Sequence, residues 1–304
     1  MEQKNMTALV SAFSRAYHSV QNTEKVFDDY LAKDILTQKE YQQIANHMLK
    51  GISFFNPSFE GTQEESLRWI VDNQLSPSPL GRAAFAEKAL ENAVRIGAKQ
   101  YMIFAAGYDT FAYRQPDWAS KIQIFELDHP VTGSDKQKRI QSILPEKPNN
   151  LYYVSVDFTK NSWENNLIDC SEFDQNKISC CSLLGIIYYL PKQIFAETIN
   201  TISSIVPKGS SIIFDYPDED TYTPKAGERA KKQATMIDAV NEKRLASYSY
   251  LELEKLLADS NFLIYEHLTP KEITEQYFKK YNQLNPEHPI TAFDNVNYCL
   301  AVKN

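Results

Sequence analysis

From residue 98 onward, short and almost wholly apolar runs alternate with longer segments whose apolar residues recur every three or four positions. Short apolar runs are typical of strands that are buried on both faces, and the longer segments are typical of amphipathic helices. The pattern predicts seven strands, at 100–105, 123–127, 151–156, 178–184, 210–215, 262–267 and 297–302. It therefore predicts an α/β fold, a Rossmann-like and mostly parallel seven-stranded sheet with helices on both faces.

Helices are expected between the strands and throughout the first hundred residues. The predicted helices are 8–20, 28–36, 40–50, 64–75, 80–96, 130–143, 163–169, 191–205 and 250–260. We predict an N-terminal helical cap over 1–97 and an α/β domain over 98–304, with the prolines of 76–79 breaking the chain between two cap helices. Residues 217–247 follow the fifth strand at the edge where open sheets bind ligands, so they are predicted to be a helical, lid-like insertion. No Gly/Ser-rich linker separates the regions, and one integrated unit is expected.

The composition excludes several classes of protein. A formal charge of −7 opposes non-specific nucleic-acid binding, which needs a basic surface. The basic residues Arg229, Lys231 and Lys232 are interpreted as a solvated helix face. The chain starts without the apolar core of a signal peptide and has no apolar run long enough to span a bilayer, so a cytoplasmic location is expected.

The cysteines and histidines do not predict a metal site. Cys180 and Cys181 are adjacent in a predicted strand and point to opposite faces, and no cysteine pair has C-x-x-C spacing. With Cys170 and Cys299 they are expected to be reduced. No His/Asp/Glu set has metal spacing, and no G-x-S-x-G or Cys/His arrangement indicates a covalent nucleophile.

The most informative segment is 101–114 together with 124–130. An apolar run ends in a turn at Gly107, and a second run ends at Asp128, as in the first βαβ unit of a nucleotide-binding sheet. Asp128, or less readily Glu126 on the same strand face, would accept hydrogen bonds from ribose hydroxyls. The alternative for Asp128 is a helix cap before Pro130. At this point an NAD site, an S-adenosylmethionine site and an ordinary turn all remain open.

Other candidates lie at the ends of later strands and on one helix. Asp157 and Phe158 end the third strand, where a carboxylate and a ring suit an adenine base, although Asp157 would also suit a helix cap. Arg82 on a cap helix could bind a carboxylate through two hydrogen bonds, or be an ordinary surface arginine. Candidates for a catalytic base, by location alone, are Tyr189, Asp215 and His129.

Taken together, these blocks resemble the leucine carboxyl methyltransferase family of class I S-adenosylmethionine-dependent O-methyltransferases. The blocks that carry the resemblance are Ser14-Arg-Ala-Tyr17, Phe27-Asp-Asp-Tyr-Leu-Ala32, Arg82 with its helix, Ala106-Gly-Tyr-Asp-Thr-Phe-Ala-Tyr-Arg114, Phe125-Glu-Leu-Asp-His-Pro130 with Lys136, Tyr189-Leu-Pro191 and Asn297-Tyr-Cys-Leu-Ala301. The family pattern implies that 98–304 is a class I methyltransferase domain with S-adenosylmethionine as its cofactor.

The resemblance also implies roles for single residues. Arg82 resembles the family arginine that binds the methionine carboxylate, with Gly107 in the loop beneath it, and Asp128 resembles the ribose acid. Asp157 and Phe158 resemble the pair around adenine. Ala105 stands where the family has a glycine, Phe111 where it has an arginine, and Leu184 where it has a glutamate. Ala105 and Leu184 are nevertheless predicted to contact the cofactor.

The implied reaction is methyl transfer to a carboxylate or another oxygen acceptor, either a small molecule or a protein C-terminus. A carboxylate is already ionised near neutral pH and needs no general base, whereas a phenol or an alcohol does. Two alternatives are an S-adenosylmethionine-binding protein without transferase activity and a nicotinamide-dependent oxidoreductase.

Overall fold

A seven-stranded sheet forms the centre of the molecule, in the order β3-β2-β1-β4-β5-β7-β6. The computed structural model describes residues 6–144, 146–158, 160, 162–239 and 246–304. The strands are β1 Gln100–Phe104, β2 Gln123–Asp128, β3 Leu151–Ser155, β4 Ser179–Leu183, β5 Ser211–Pro217, β6 Phe262–Leu268 and β7 Val296–Lys303. β1 to β5 pair in parallel, and β7 lies antiparallel between β5 and β6. The predicted mostly parallel α/β sheet is confirmed.

Helices precede the sheet and connect its strands. The helices are α1 Met6–Gln21, α2 Ala32–Ile35, α3 Gln38–Leu49, α4 Ile52–Phe55, α5 Gln63–Ile70, α6 Pro77–Arg95, α7 Pro130–Ile143, α8 Glu164–Ile168, α9 Lys192–Ile205, α10 Glu228–Ala239, α11 Tyr250–Asp259, α12 Pro270–Ile273 and α13 Lys279–Leu284. Reciprocal side-chain caps begin three of them, α3, α5 and α12. The pairs Thr37 with Glu40, Thr62 with Glu65 and Thr269 with Glu272 satisfy free N–H groups at these helix starts.

Two predictions about the cap differ in extent from the structure. The helix predicted at 28–36 is only the single turn Ala32–Ile35, because Asp29 uses its side chain to bind Arg15 and Thr110 and leaves the helical pattern. The break predicted at 76–79 is confined to the bend at Ser76, and the prolines lie within the next helix. They start α6, since the first turn of a helix has N–H groups without helical partners and therefore tolerates proline.

Three apolar clusters hold the layers together. One lies between the sheet and α6, and a second lies between the opposite face of the sheet and α9. Cys180 belongs to the first cluster and Cys181 to the second, as the alternation of a strand requires. The third cluster joins cap residues such as Phe13 to Tyr108 and Ile140 of the α/β region. This shared core supports the expectation of one integrated unit.

The described part of the insertion packs on the cap. From α10, Arg229 forms an ion pair with Asp294 at 2.7 Å, and the Lys232 ammonium donates to the carbonyl of Phe55 at 2.8 Å. Lys231 pairs with Glu228 on the exposed side. Residues 240–245 of the proposed lid lie outside the described residues. No helix among the described residues is long and apolar enough to cross a membrane.

Candidate active site

A cavity of about 720 Å³ opens where β1, β2 and β4 end, between the sheet, α1 and α6. This volume is within the usual range for small-molecule sites. The cofactor-binding residues predicted from the sequence all line it, namely Arg82, Ala105, Gly107, Asp128, Asp157, Phe158 and Leu184, as do His129 and Tyr189. Within the described residues, no cluster of His, Cys, Asp or Glu side chains could hold a metal ion.

The floor of the cavity is the turn after β1. Ala105 and Gly107 both have left-handed backbone conformations, with φ of 48° and 52°. A β-carbon on Gly107 would lie 3.5 Å from the Ala8 side chain of α1, so that helix sits directly above the turn. Ala105 occupies a conformation that favours glycine, which costs about 1–2 kcal/mol for an L-residue.

Asp128 fixes this turn to the neighbouring strand. Its Oδ2 accepts from the Gly107 N–H at 2.5 Å and its Oδ1 accepts from the His129 N–H at 2.7 Å. Burial raises the pKa of Asp128, and the two backbone donors oppose this rise. His129, not Asp128, caps α7 through its ring, so the helix-cap alternative for Asp128 is wrong.

Glu126 lies outside the cavity. It forms a buried ion pair with Lys136, with Nζ and Oε2 2.6 Å apart, and both side chains are 2% exposed. Burial raises the pKa of Glu126 to about 6 despite this partner. Its position supports a structural role within the sheet. Of the two candidates for the ribose acid, Asp128 is the one that lines the cavity.

Arg82 reaches the cavity from α6 and lies flat against the backbone of Gly185. A β-carbon on Gly185 would stand 2.2 Å from the Arg82 Nη1 atom, so a side chain there would displace the guanidinium, and the φ of 70° also favours glycine. Behind the guanidinium, Oδ2 of Asp215 accepts from Nη1 at 3.4 Å. Burial lowers the pKa of Arg82, but Asp215, Tyr188 and Tyr298 together outweigh burial and raise that pKa overall.

The three candidates for a base occupy different settings. Asp215 is fully buried behind the wall and does not line the cavity, so its position favours supporting other groups over contact with a substrate. The Nδ1 atom of His129 accepts from the Val131 N–H at 3.3 Å. Tyr189 lines the cavity and packs against the Tyr188 ring, with centroids 6.3 Å apart.

Aromatic rings close the end of the cavity at β3. Phe158 stacks on Phe104, with ring centroids 5.6 Å apart and planes at 29°. Trp163 meets both rings edge-on. Asp157 lies beside this group and is 3.5 Å from the Lys160 ammonium.

A buried polar group that sequence reasoning missed holds α1 over the cavity. Arg15 donates to Asp29 Oδ2 at 2.8 Å and to the carbonyl of Tyr108 at 2.7 Å. Asp29 also accepts from the Thr110 hydroxyl at 2.6 Å. Burial opposes ionisation of Asp29, but Arg15 and Arg114 hold its pKa below the ordinary value. The signal was present in the blocks 14–17 and 27–32, which supply these side chains.

Among the described residues, α1 covers the cavity. Met6, Thr7, Ala8 and Ser11 of α1 line the cavity. None of the described residues of 217–247 does so.

Comparison with known proteins identifies the fold and the family. The family model for leucine carboxyl methyltransferase matches residues 8–203. The chain belongs to the leucine carboxyl methyltransferase family. This confirms the family predicted from the sequence blocks, and the match includes the cap as well as the first four strands.

Relatives extend this finding over the whole chain. A Bacillus subtilis protein, provisionally named as the S-adenosyl-L-methionine-dependent methyltransferase YktD, is 40% identical over 306 residues, covering 99% of this chain and 98% of its own. A Mycobacterium tuberculosis H37Rv protein with a similar provisional name is 28% identical over 159 residues, covering 50% of this chain and 43% of its own.

Solved structures share the fold at low sequence identity. A DUF574 family protein from Streptomyces avermitilis aligns with a TM-score of 0.61 at 12% identity, covering 97% of each chain. A protein from Thermobifida fusca, provisionally described as a methyltransferase, aligns with a TM-score of 0.56 at 11% identity, covering 99% of this chain and 96% of its own. Of the three departures from the family pattern, Ala105 and Leu184 lie in the cavity wall, whereas Phe111 does not line the cavity.

Proposed function

We propose that this S-adenosylmethionine-dependent methyltransferase transfers the methyl group to an oxygen atom, that of a carboxylate or another oxygen acceptor. The observation that carries the proposal is the convergence of an arginine, a strand-end carboxylate and an aromatic cluster on one cavity in a member of the leucine carboxyl methyltransferase family. The family finding favours this reaction over that of a nicotinamide-dependent oxidoreductase.

The cavity residues fit the cofactor. At Gly107 the absence of a side chain lets the backbone of the turn approach a ligand, and at Gly185 it makes room for the Arg82 guanidinium. We assign Arg82 to the cofactor carboxylate, Asp128 to the ribose hydroxyls, and Asp157 with Phe158 to the adenine. Ala105, Gly107 and Leu184 would contact the cofactor through the backbone or through apolar surface. When bound, S-adenosylmethionine supplies a methyl group activated by its positively charged sulfur.

The chain's own contribution would be orientation and the exclusion of water. α1 covers the turn after β1, and Arg15 ties it down by donating to the carbonyl of Tyr108. Beyond the assigned cofactor residues, the cavity lining includes apolar side chains that could face an acceptor, namely Phe27, Ala83, Ile186, Tyr189 and Leu190, together with charged ones such as Arg15, Asp109 and Arg114. Holding a carboxylate in line with the methyl group accelerates transfer without a base, because the acceptor is already ionised.

Calorimetry and an acceptor panel test this proposal. The protein is titrated with S-adenosylhomocysteine and with NAD, and binding of the first alone is expected. Production of S-adenosylhomocysteine is then measured with matched carboxylic acids, phenols, alcohols and amines, including a peptide with a free C-terminus. Transfer confined to amines would contradict the oxygen acceptor.

A second candidate is a cofactor-binding protein without transferase activity. The strained conformation of Ala105 and the loss of the family glutamate at Leu184 favour it, since both lie in the cavity wall. Binding of S-adenosylhomocysteine without transfer to any acceptor of the panel would support this candidate.

A further inference from the structure

Asp215 is a fully buried carboxylate that joins three segments around the cavity without lining it. It lies on β5, and its exposed fraction is 0%. It accepts hydrogen bonds from the Gly185 N–H at 2.6 Å, the Tyr188 hydroxyl at 2.9 Å and Arg82 Nη1 at 3.4 Å. Because a buried charge is unfavourable unless it is well paired, these three donors account for its presence.

The contact with Arg82 leaves most of the guanidinium available. Within the described residues, the Arg82 guanidinium donates a hydrogen bond to Asp215 alone, and only its Nη1 atom is the donor. The Arg82 side chain is 19% exposed and lines the cavity. A guanidinium carries five N–H donors in a planar arrangement. With Nη1 held by Asp215 on the side away from the cavity, the remaining donors can bind a carboxylate in the cavity through two hydrogen bonds.

The same carboxylate also fixes the surface on which Arg82 lies. Oδ1 of Asp215 holds the Gly185 N–H, and the guanidinium rests against the Gly185 backbone with no room for a side chain. Tyr188, the third donor, precedes Tyr189, which lines the acceptor side of the cavity. The Asp215 carboxylate thus holds in place both the Arg82 guanidinium and the turn at Gly185.

We propose that Asp215 is a positioning residue that presents Arg82 to the carboxylate of the cofactor's amino-acid portion. In this role it determines how strongly the site prefers a complete cofactor to the nucleoside part alone. The inference rests on the proposed assignment of Arg82 to the cofactor carboxylate.

The test compares two ligands that differ in the amino-acid portion, which carries the carboxylate assigned to Arg82. S-adenosylhomocysteine carries the amino-acid portion, and 5′-methylthioadenosine has the nucleoside without it. In the full chain, Asp215→Asn is expected to weaken S-adenosylhomocysteine binding about ten- to a hundred-fold, because a hydrogen-bonded charge is lost. The affinity for 5′-methylthioadenosine should stay within about two-fold. An equal loss for both ligands would reduce Asp215 to a structural role and overturn the proposal.

A double-variant cycle checks that Asp215 acts through Arg82. Arg82→Gln should produce the same selective loss, and adding Asp215→Asn to it should cause little further loss, since both remove one interaction. Additive losses would contradict the proposal. Asp294→Asn, which breaks the ion pair with Arg229 away from the cavity, is the matched control and should change neither affinity.

A second variant covers the case in which Asp215→Asn does not fold. Gly185→Ala displaces the guanidinium from its other face and should give the same selective loss. Unchanged binding of S-adenosylhomocysteine by Gly185→Ala would overturn the proposal. If the wild-type protein bound 5′-methylthioadenosine but not S-adenosylhomocysteine, the assignment of Arg82 itself would fail, which is a different outcome from failure of the Asp215 role.

Discussion

At the scale of single residues, the site combines a strained turn with charged side chains that are held by buried hydrogen bonds. Ala105 is the clearest case of strain, because it has a left-handed conformation with φ of 48° at a position where the family pattern has glycine. Its methyl group lines the cavity, so the strain lies directly beside the proposed cofactor. Local strain of this kind persists only where the surrounding structure enforces it.

Replacing Ala105 by glycine is expected to stabilise the protein. The substitution removes strain of about 1–2 kcal/mol. The greater conformational freedom of glycine in the unfolded chain offsets about 0.5–1 kcal/mol of that gain. The free energy of unfolding, measured in urea, should therefore rise by roughly 0.5–1 kcal/mol. Ala106→Gly, next in the chain and not left-handed, is the control and should lower it. Equal destabilisation by both variants would show that the conformation of Ala105 carries no strain.

At the scale of elements, α1 covers the cavity and Arg15 is its buried polar attachment to the α/β region. Arg15 joins α1 to Asp29 and to the turn that contains Tyr108. Breaking a buried ion pair by removing one partner leaves the other charge uncompensated. We therefore expect the position of α1 to depend on Arg15 as well as on the apolar cluster beneath the helix.

Arg15→Met should release α1 while the sheet stays folded. The buried pair is lost, which costs about 3–5 kcal/mol, so amide hydrogen exchange in Met6–Gln21 should accelerate strongly while exchange in Lys192–Ile205 is unchanged. Arg95→Met, which removes an exposed pair with Glu91, is the control and should leave both helices protected. Uniform acceleration in both helices after Arg15→Met would indicate global destabilisation instead.

Local patterns were sufficient for most elements and for the residues that line the site. Apolar runs and helical periodicity located all seven strands, and the family blocks located every proposed cofactor residue on the cavity wall. The patterns missed the insertion of β7 between β5 and β6, because pairing order depends on contacts between distant segments. They also missed the contacts that hold the site residues in place. Arg82 and Asp215 are separated by 133 residues in the sequence, and Arg15 and Tyr108 by 93. No local periodicity encodes such a contact.

At the scale of the whole molecule, a buried histidine links the cap to the last helix before β7. His18 is fully buried, its Nε2 accepts from the Val26 N–H at 3.0 Å, and its ring packs against Tyr281 at 5.2 Å between centroids. Burial lowers the pKa of His18 to about 4. The unfolded chain, with an ordinary histidine pKa near 6.5, binds a proton more readily than the folded chain.

The cap is therefore expected to weaken in acid. Because the pKa of His18 is lower in the folded state, its contribution to stability is complete above about pH 6.5 and is lost as the pH falls towards about 4, by up to roughly 1.4 kcal/mol per pH unit. The stability difference between wild type and His18→Gln, measured by urea unfolding, should shrink over this interval. A difference that is constant from pH 7 to pH 4 would refute the role of His18.

The position of β7 has a consequence for how the chain is made. β7 is hydrogen-bonded to β5 on one side and to β6 on the other, yet it is synthesised after both. While it is still in the ribosome, β6 has no partner in the sheet and β5 presents an open edge, which is the kind of surface on which nascent chains associate. Completion of the sheet must then wait for Val296–Lys303 to emerge, and chaperone dependence during translation should be concentrated in that interval.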